Sequence, residues 1–142
     1  MKEYSYGVVI YRIRDYSTDL LFMRAKGHNQ WGMLKGKIET DETIQECATR
    51  EVLEESGILI NPLFLEDYFE NNTKRKLVGI FLIQDIHCDL SNVRLCEREV
   101  DELRWFNVND YVDIQPNQKP IYNEIVNKFI NREYYFSNKD TN

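Results

Sequence analysis

Residues 36 to 58 read GKIETDETIQECATREVLEESGI. Thr43 followed three residues later by Glu46 forms a capping box, the reciprocal pairing that starts a helix. Gly57 suits the left-handed position that ends one. Together they predict a helix of about fourteen residues. On it Glu51, Glu54 and Glu55 lie at i, i+3 and i+4 and share one face. Carboxylates so placed repel by about 0.2–0.5 kcal/mol per pair. They also stand near the helix C-terminus, where the macrodipole disfavours anions. Stability does not explain them. A bound divalent cation reverses the sign of both effects, and an all-oxygen ligand set suits Mg²⁺, with Mn²⁺ as a substitute. A solvated glutamate face would account for one such pair. It does not account for acids tied to Gly36, Arg50 and Gly57 at fixed spacings. Glu46 is assigned to the cap and to solvent.

In full, the stretch reads G-x5-E-x7-R-E-U-x-E-E-x-G-U, with U aliphatic. The specified positions are Gly36, Glu42, Arg50, Glu51, Val52, Glu54, Glu55, Gly57 and Ile58. This resembles the Nudix box, the signature of hydrolases that cut a nucleoside diphosphate linked to another group. Every specified position is filled, which is far more specific than a lone Gly-rich loop. The resemblance implies an α/β fold, the Nudix α/β/α sandwich, with a mixed sheet between helices. It implies a MutT-like, magnesium-dependent pyrophosphatase in which Glu51, Glu54 and Glu55 hold metal and Arg50 orients them. A backbone carbonyl at Lys35 or Gly36 is a further implied ligand. Several Nudix hydrolases add a glutamate from the loop before the last strand, as metal ligand or general base. Glu99 is the first candidate, in the acidic loop Glu97, Glu99, Asp101 and Glu102; an ordinary charged loop is the alternative. Glu51 is its rival as base.

The lead-in Trp31-Gly32-Met33-Leu34-Lys35-Gly36-Lys37 resembles the segment before many Nudix boxes. Leu34 stands where proline is common, which changes the stiffness of the loop and removes no catalytic group. Lys37 and Arg24 match positions that contact substrate phosphate in the family. Solvated surface charge is the plainer reading of both. Trp31 either stacks on a base or packs the loop.

A chain of 142 residues with 42% hydrophobic and 30% charged residues has the composition of one soluble globular domain. The domain is expected over residues 1–136, with 137–142 as a frayed tail. The net charge of −6 argues against broad non-specific nucleic-acid binding, so no stable nucleic-acid complex is expected. Polyphosphate substrates remain open, because metal ions and a few placed cations neutralise phosphates locally. Cys47, Cys88 and Cys96 form an odd set without metal-type spacing, which suggests a reducing compartment. No apolar run has signal-peptide or membrane-spanning length, and a cytoplasmic location is the simplest assignment.

Along the chain, residues 4–14 and 20–24 read as strands joined by a polar turn. Residues 25–35 read as a loop. After the box, 58–60 and 63–70 look extended around an Asn61-Pro62 turn. Lys76 to Asp85 is a strong strand, and Leu103 to Phe106 a short one. Pro116 to Phe136 contains a helix with Ile121, Ile125 and Phe129 inward, joined by Val126 and Ile130.

The expected substrate is a nucleotide, most simply a dinucleoside polyphosphate or a nucleoside triphosphate. The Lys-Gly lead-in resembles diadenosine tetraphosphate hydrolases, but Thr73, Lys74 and Arg75 fill the window where their tyrosine stands. Asn72 replaces the proline of ADP-ribose pyrophosphatases. Two alternatives stay open: an RNA 5′-pyrophosphohydrolase, or a nucleotide-binding sensor without catalysis. The complete acid set favours an enzyme. Many relatives are dimers, so a homodimer is also open.

Overall fold

The computed structural model describes residues 1–140, with side chains through Arg132. Strand β1 (Glu3–Arg14) turns through Asp15 into β2 (Ser17–Ala25). Their pairing covers only Tyr11–Arg14 with Ser17–Leu20. Beyond that the strands part. The following segment fills the gap: β3 (Trp31–Gly32) pairs with β2, and β4 (Leu34–Lys37) pairs with β1. On the other flank of β1 lies β7 (Lys76–Gln84), in parallel, with β6 (Glu66–Asn72) antiparallel beyond it. Strand β9 (Val100–Asn107) closes the outer side of β2. The result is one mixed seven-stranded sheet. A small ribbon, β5 (Leu59–Ile60) with β8 (Cys88–Asp89), stands apart.

Side chains of a strand alternate between faces, and β1 is apolar on both. Tyr6, Val8 and Ile10 join Cys47, Ala48 and Val52 of helix α1 (Ile44–Ser56) in one core. Val9 and Tyr11 join Ile121, Ile125 and Phe129 of helix α2 (Lys119–Asp140) in the other. The expected α/β/α sandwich is therefore observed. Ile121, Ile125 and Phe129 are fully buried and Val126 packs at the rim, whereas Ile130 is exposed.

The capping box forms as expected. Glu46 N–H donates to Thr43 Oγ1 at 3.1 Å, and Thr43 N–H donates to Glu46 Oε1 at 3.0 Å. Such a cap contributes about 1 kcal/mol. Gly57 closes the helix at φ 76° and donates to Leu53 O at 2.8 Å.

Three boundaries differ from the sequence reading. The expected loop 25–35 contains β3 and the start of β4, strands too short to carry a periodic signal. Residues 62–64 form a single 3₁₀ turn capped by Asn61, and the strand begins at Glu66. The last strand starts at Val100, so part of the acidic loop is strand. Helix α2 continues to Asp140, so the backbone of residues 137–140 of the expected tail is helical; residues 141 and 142, and the side chains of 133–140, lie outside the described residues.

Gly7 sits where β1 meets β4, and a Cβ there would stand 1.9 Å from Leu34 O. Backbone cannot yield as a side chain can. Gly7→Ala should cost about 1–3 kcal/mol, as overpacking does, read as a lower urea midpoint with unchanged slope. Wild-type stability in this variant would mean that β1 and β4 are not held in this register.

Candidate active site

The cleft of about 360 Å³ lies where β1 and β2 part. Helix α1 supplies Glu51 and Glu55, β4 supplies Lys35, Gly36 and Lys37, and the turn before β9 supplies Glu99. Met23, Ala25, His28, Met33, Gln115 and Gln118 line the remainder.

Strand parity explains how β4 serves the site. Ile38 N–H donates to Tyr4 O at 3.0 Å, so even-numbered residues of β4 direct their backbone at β1. The odd ones face α1. Lys35 N–H donates to Glu55 Oε1 at 2.9 Å, and Lys37 O accepts from Arg50 Nη2 at 3.1 Å. Of the two carbonyls implied as metal ligands, Lys35's therefore faces the helix. Gly36's is turned toward β1 and accepts from Cys47 Sγ at 3.5 Å. Burial pushes the Cys47 thiol up to about 11, which keeps it a neutral donor. Gly36 matters for a different reason: a Cβ there would lie 2.1 Å from Glu51 Cδ. The glycine of the motif makes room for the glutamate of the motif.

Arg50 joins the loop to the helix. Its Nε donates to Glu42 Oε2 at 2.5 Å and its Nη2 to Glu42 Oε1 at 3.0 Å. Its Nη1 reaches Glu51 Oε1 at 2.9 Å and Glu54 Oε2 at 3.2 Å. Glu42 also accepts from Glu39 N–H at 2.9 Å, closing the turn ahead of the helix.

The other expected residues fall differently. Glu99 lies in the cleft opposite α1, with Lys26 N–H donating to its carbonyl at 2.9 Å. Glu54 is not among the lining residues; Arg50 holds its half-exposed carboxylate at the rim. Lys37 lines the cleft and pairs with Glu3 at 3.0 Å. Arg24 is taken up by His28 O, Asp101 and Glu102, at 3.1 to 3.5 Å, and does not line the cleft. Of the two readings of Trp31, its position agrees with packing. It is buried in the α2-side core, with Phe106 edge-on at 4.8 Å and the Arg104 guanidinium 4.9 Å from its ring centre. Gln115 and Gln118 were not foreseen. Gln118 is buried and its Oε1 accepts from Met33 N–H at 2.7 Å. No local pattern in the sequence marks either glutamine.

Glu55 is 6% exposed. Burial first, then the charge of Glu51, push its pKa up to about 8 against the opposing Lys35 N–H. Burial raises Glu51 as well, with Arg50 opposing. Among the described residues no three acidic, histidine or cysteine side chains form a ready metal cage. The donor set nevertheless fits a hard divalent cation: it is all oxygen and like-charged, and the buried Glu55 is held by a neutral backbone N–H rather than by a cation.

A sign follows from Glu55. Its folded pKa lies above the ordinary carboxylate value, so the folded chain binds more protons between about 4.5 and about 8. Without divalent cations, stability should fall as pH rises through that window and level off above it. In Glu55→Gln this part of the slope should vanish, with a gain over wild type above pH of about 8. Chemical denaturation across pH in EDTA would check it; identical slopes would discard the buried-acid assignment.

The family model described as the NUDIX domain matches residues 2–129. The mRNA decapping complex subunit 2 of Schizosaccharomyces pombe is 32% identical over 97 residues, covering 66% of this chain and 13% of that protein. The oxidized purine nucleoside triphosphate hydrolase of Danio rerio is 34% identical over 89 residues, covering 61% of this chain and 54% of that protein. The chain thus spans about half or less of these relatives' lengths. Among solved structures, a MutT NUDIX hydrolase from Burkholderia pseudomallei superposes with TM-score 0.68 at 18% identity, covering 87% of this chain and 97% of that one. A C. elegans Ap4A hydrolase superposes with TM-score 0.61 at 19% identity, covering 96% and 98%. These likenesses show the fold. With the motif complete, its glycine seated under its glutamate, and the family match running over nearly the whole chain, the protein belongs to the NUDIX domain family.

Proposed function

We propose that the chain is a metal-dependent hydrolase that cuts a phosphoanhydride bond in a nucleoside diphosphate linked to another group. A dinucleoside polyphosphate or a nucleoside triphosphate is the proposed substrate. The observation that carries this reading is the meeting of Glu51, Glu55 and Glu99 in one cleft that also holds Lys35 and Lys37. Glu51, Glu55, Glu99 and the Lys35 carbonyl would hold Mg²⁺, which when bound neutralises phosphate charge and eases ionisation of the attacking water. Arg50, through one Nη1, keeps both Glu51 and Glu54 aimed, and Glu54 is a further proposed ligand. Glu99, which lines the cleft from the turn before β9, would accept the water proton; Glu51 is the rival. Lys37 offers charge to the phosphate chain, whereas Arg24 is occupied by acids. Phosphoryl chemistry asks mainly for this positioning and charge balance.

A second reading comes from the relatives named as mRNA decapping subunits. It makes the substrate an RNA 5′ end, where the bond is also a phosphoanhydride. A nucleotide sensor without catalysis is the other class, and the complete acid set weighs against it.

Glu55→Gln should lower kcat at least about a hundredfold with the fold kept, since metal-assisted charge stabilisation supplies several kcal/mol. Near-normal turnover would remove Glu55 from the site. If Glu99 is the base, Glu99→Gln should lower kcat by about 10²–10⁴ with KM little changed, and Glu51→Gln should differ by also disturbing Mg²⁺ affinity. Two mild variants would mean another group activates the water. A substrate panel with and without Mg²⁺ should show higher kcat/KM for diadenosine tetraphosphate or a nucleoside triphosphate than for ADP-ribose. Highest efficiency on ADP-ribose would overturn the substrate proposal alone, and no turnover of any nucleotide would favour the sensor.

A further inference from the structure

The sheet end beside the cleft gathers positive charge that the net charge of −6 conceals. Register sets Lys35 opposite Gly7 and Lys37 opposite Ser5. Across β1, Lys76 stands opposite Glu3. Parity places all three lysines on the α2 face of the sheet, with Val9 and Val78. Gly7 leaves room for the Lys35 stem; a Cβ there would stand 2.5 Å from Lys35 Cβ. The β6–β7 turn then adds Lys74 and Arg75, both exposed. Thr73 closes that turn through Lys76 N–H at 3.2 Å, and Glu3 N–H docks it by donating to Arg75 O at 2.9 Å. A polar notch of Asn71, Thr73 and Asn117 borders Lys76.

The cations therefore form a band from the cleft lip to the sheet end. Glu3 is the acid that register seats among them, and it is already paired with Lys37 at 3.0 Å. Guarding a sheet edge with lysine does not explain Lys76, which lies on β7 between β1 and β6. Lysines gathered on β4 and β7, either side of β1, also repel one another without a counter-ion. A polyanion lying along the band would supply one.

We propose that this band is a track for the phosphate backbone of single-stranded RNA whose 5′ phosphates occupy the cleft. The proposal rests on the RNA 5′-end reading above and assigns that substrate its path over the surface. A free nucleotide can meet Lys35 and Lys37 at the lip. Only a substrate with further nucleotides attached reaches Lys74 and Arg75. The track is local and its complex transient, in keeping with an overall acidic chain.

The test uses the full chain with a fluorescent, 5′-triphosphorylated RNA of about ten nucleotides, read by anisotropy over a salt series without Mg²⁺. The variants are Lys74→Glu/Arg75→Glu and the gentler Lys74→Gln/Arg75→Gln. Charge reversal should weaken RNA binding at least about tenfold, and the glutamine pair should lower the slope of log K against log salt by about 1.4, two phosphates' worth for a single strand. GTP binding should not change in either. Unchanged RNA affinity in both variants, an equal loss for RNA and GTP, or inorganic polyphosphate displacing the RNA at equal charge would each overturn the track. RNA that binds with the expected slope and is not cleaved when Mg²⁺ is added would refute cleavage of RNA 5′ ends and keep the track as a binding surface.

Discussion

Strands β1 and β2 stay paired for four residues and then separate, and most of what distinguishes this molecule follows from that parting. Backbone N–H and C=O groups exposed by the divergence need partners in a buried setting. Residues 31–37 supply them, pairing on one side with β2 and on the other with β1. A segment that would otherwise be an ordinary loop is thereby locked into the sheet. Its parity then decides which amide faces α1, and the Lys35 N–H that results is the neutral partner holding the buried Glu55. The cleft is the space left by two strands that diverge, roofed by the helix whose acids it needs.

Arg50 shows how little energy such a site requires and how much geometry. Partly exposed ion pairs each contribute about 0–1 kcal/mol, so Arg50 is no major source of stability. It fixes the distance between the turn at Glu42 and the acids of α1. Gly36 works the same way by omission, since any side chain would displace Glu51. Beneath them Glu55 carries the unresolved electrostatic stress, a carboxylate buried beside another with its proton affinity raised. A fold selected for stability alone would put an apolar residue there. The stress is concentrated where a divalent cation would relieve it.

Charge is segregated in a way that a net value hides. The acids of α1 and Glu99 of the turn before β9 meet Lys35 and Lys37 of β4 in the cleft, while Lys76 of β7 and the cations of the β6–β7 turn lie toward the sheet end. The overall excess of acid therefore says little about what the cleft rim attracts, because screening limits each charge to a neighbourhood of about 8 Å at physiological salt.

Helix α1 was legible in the chain because its information is local. A capping box, a left-handed glycine and the i, i+3, i+4 rhythm act through contacts within a few residues, so Glu51, Glu54 and Glu55 were placed on one helix without any knowledge of the sheet. The strand at residues 4–14 and the inward stripe of α2 were readable for the same reason, whereas the layered architecture came with the family resemblance and the apolar character of both faces of β1 emerged only in the fold. What surrounds α1 was not. Trp31 was a candidate for stacking on a base until packing with Phe106 and Arg104 placed it in the core. Arg24 is neutralised by acids some eighty residues away, and Gln118 reaches Met33 from beyond the last strand. Glu54, equal to its neighbours in the motif, shares Arg50 with Glu51 and yet does not line the cleft. These outcomes depend on strand register and on partners distant in sequence, and a slip of one residue would turn each strand's side chains to the opposite face. The sequence by itself determined which groups exist and which helix carries the acids. Only the tertiary structure decided which of them share a cleft, because that choice is made by long-range pairing that no local spacing encodes.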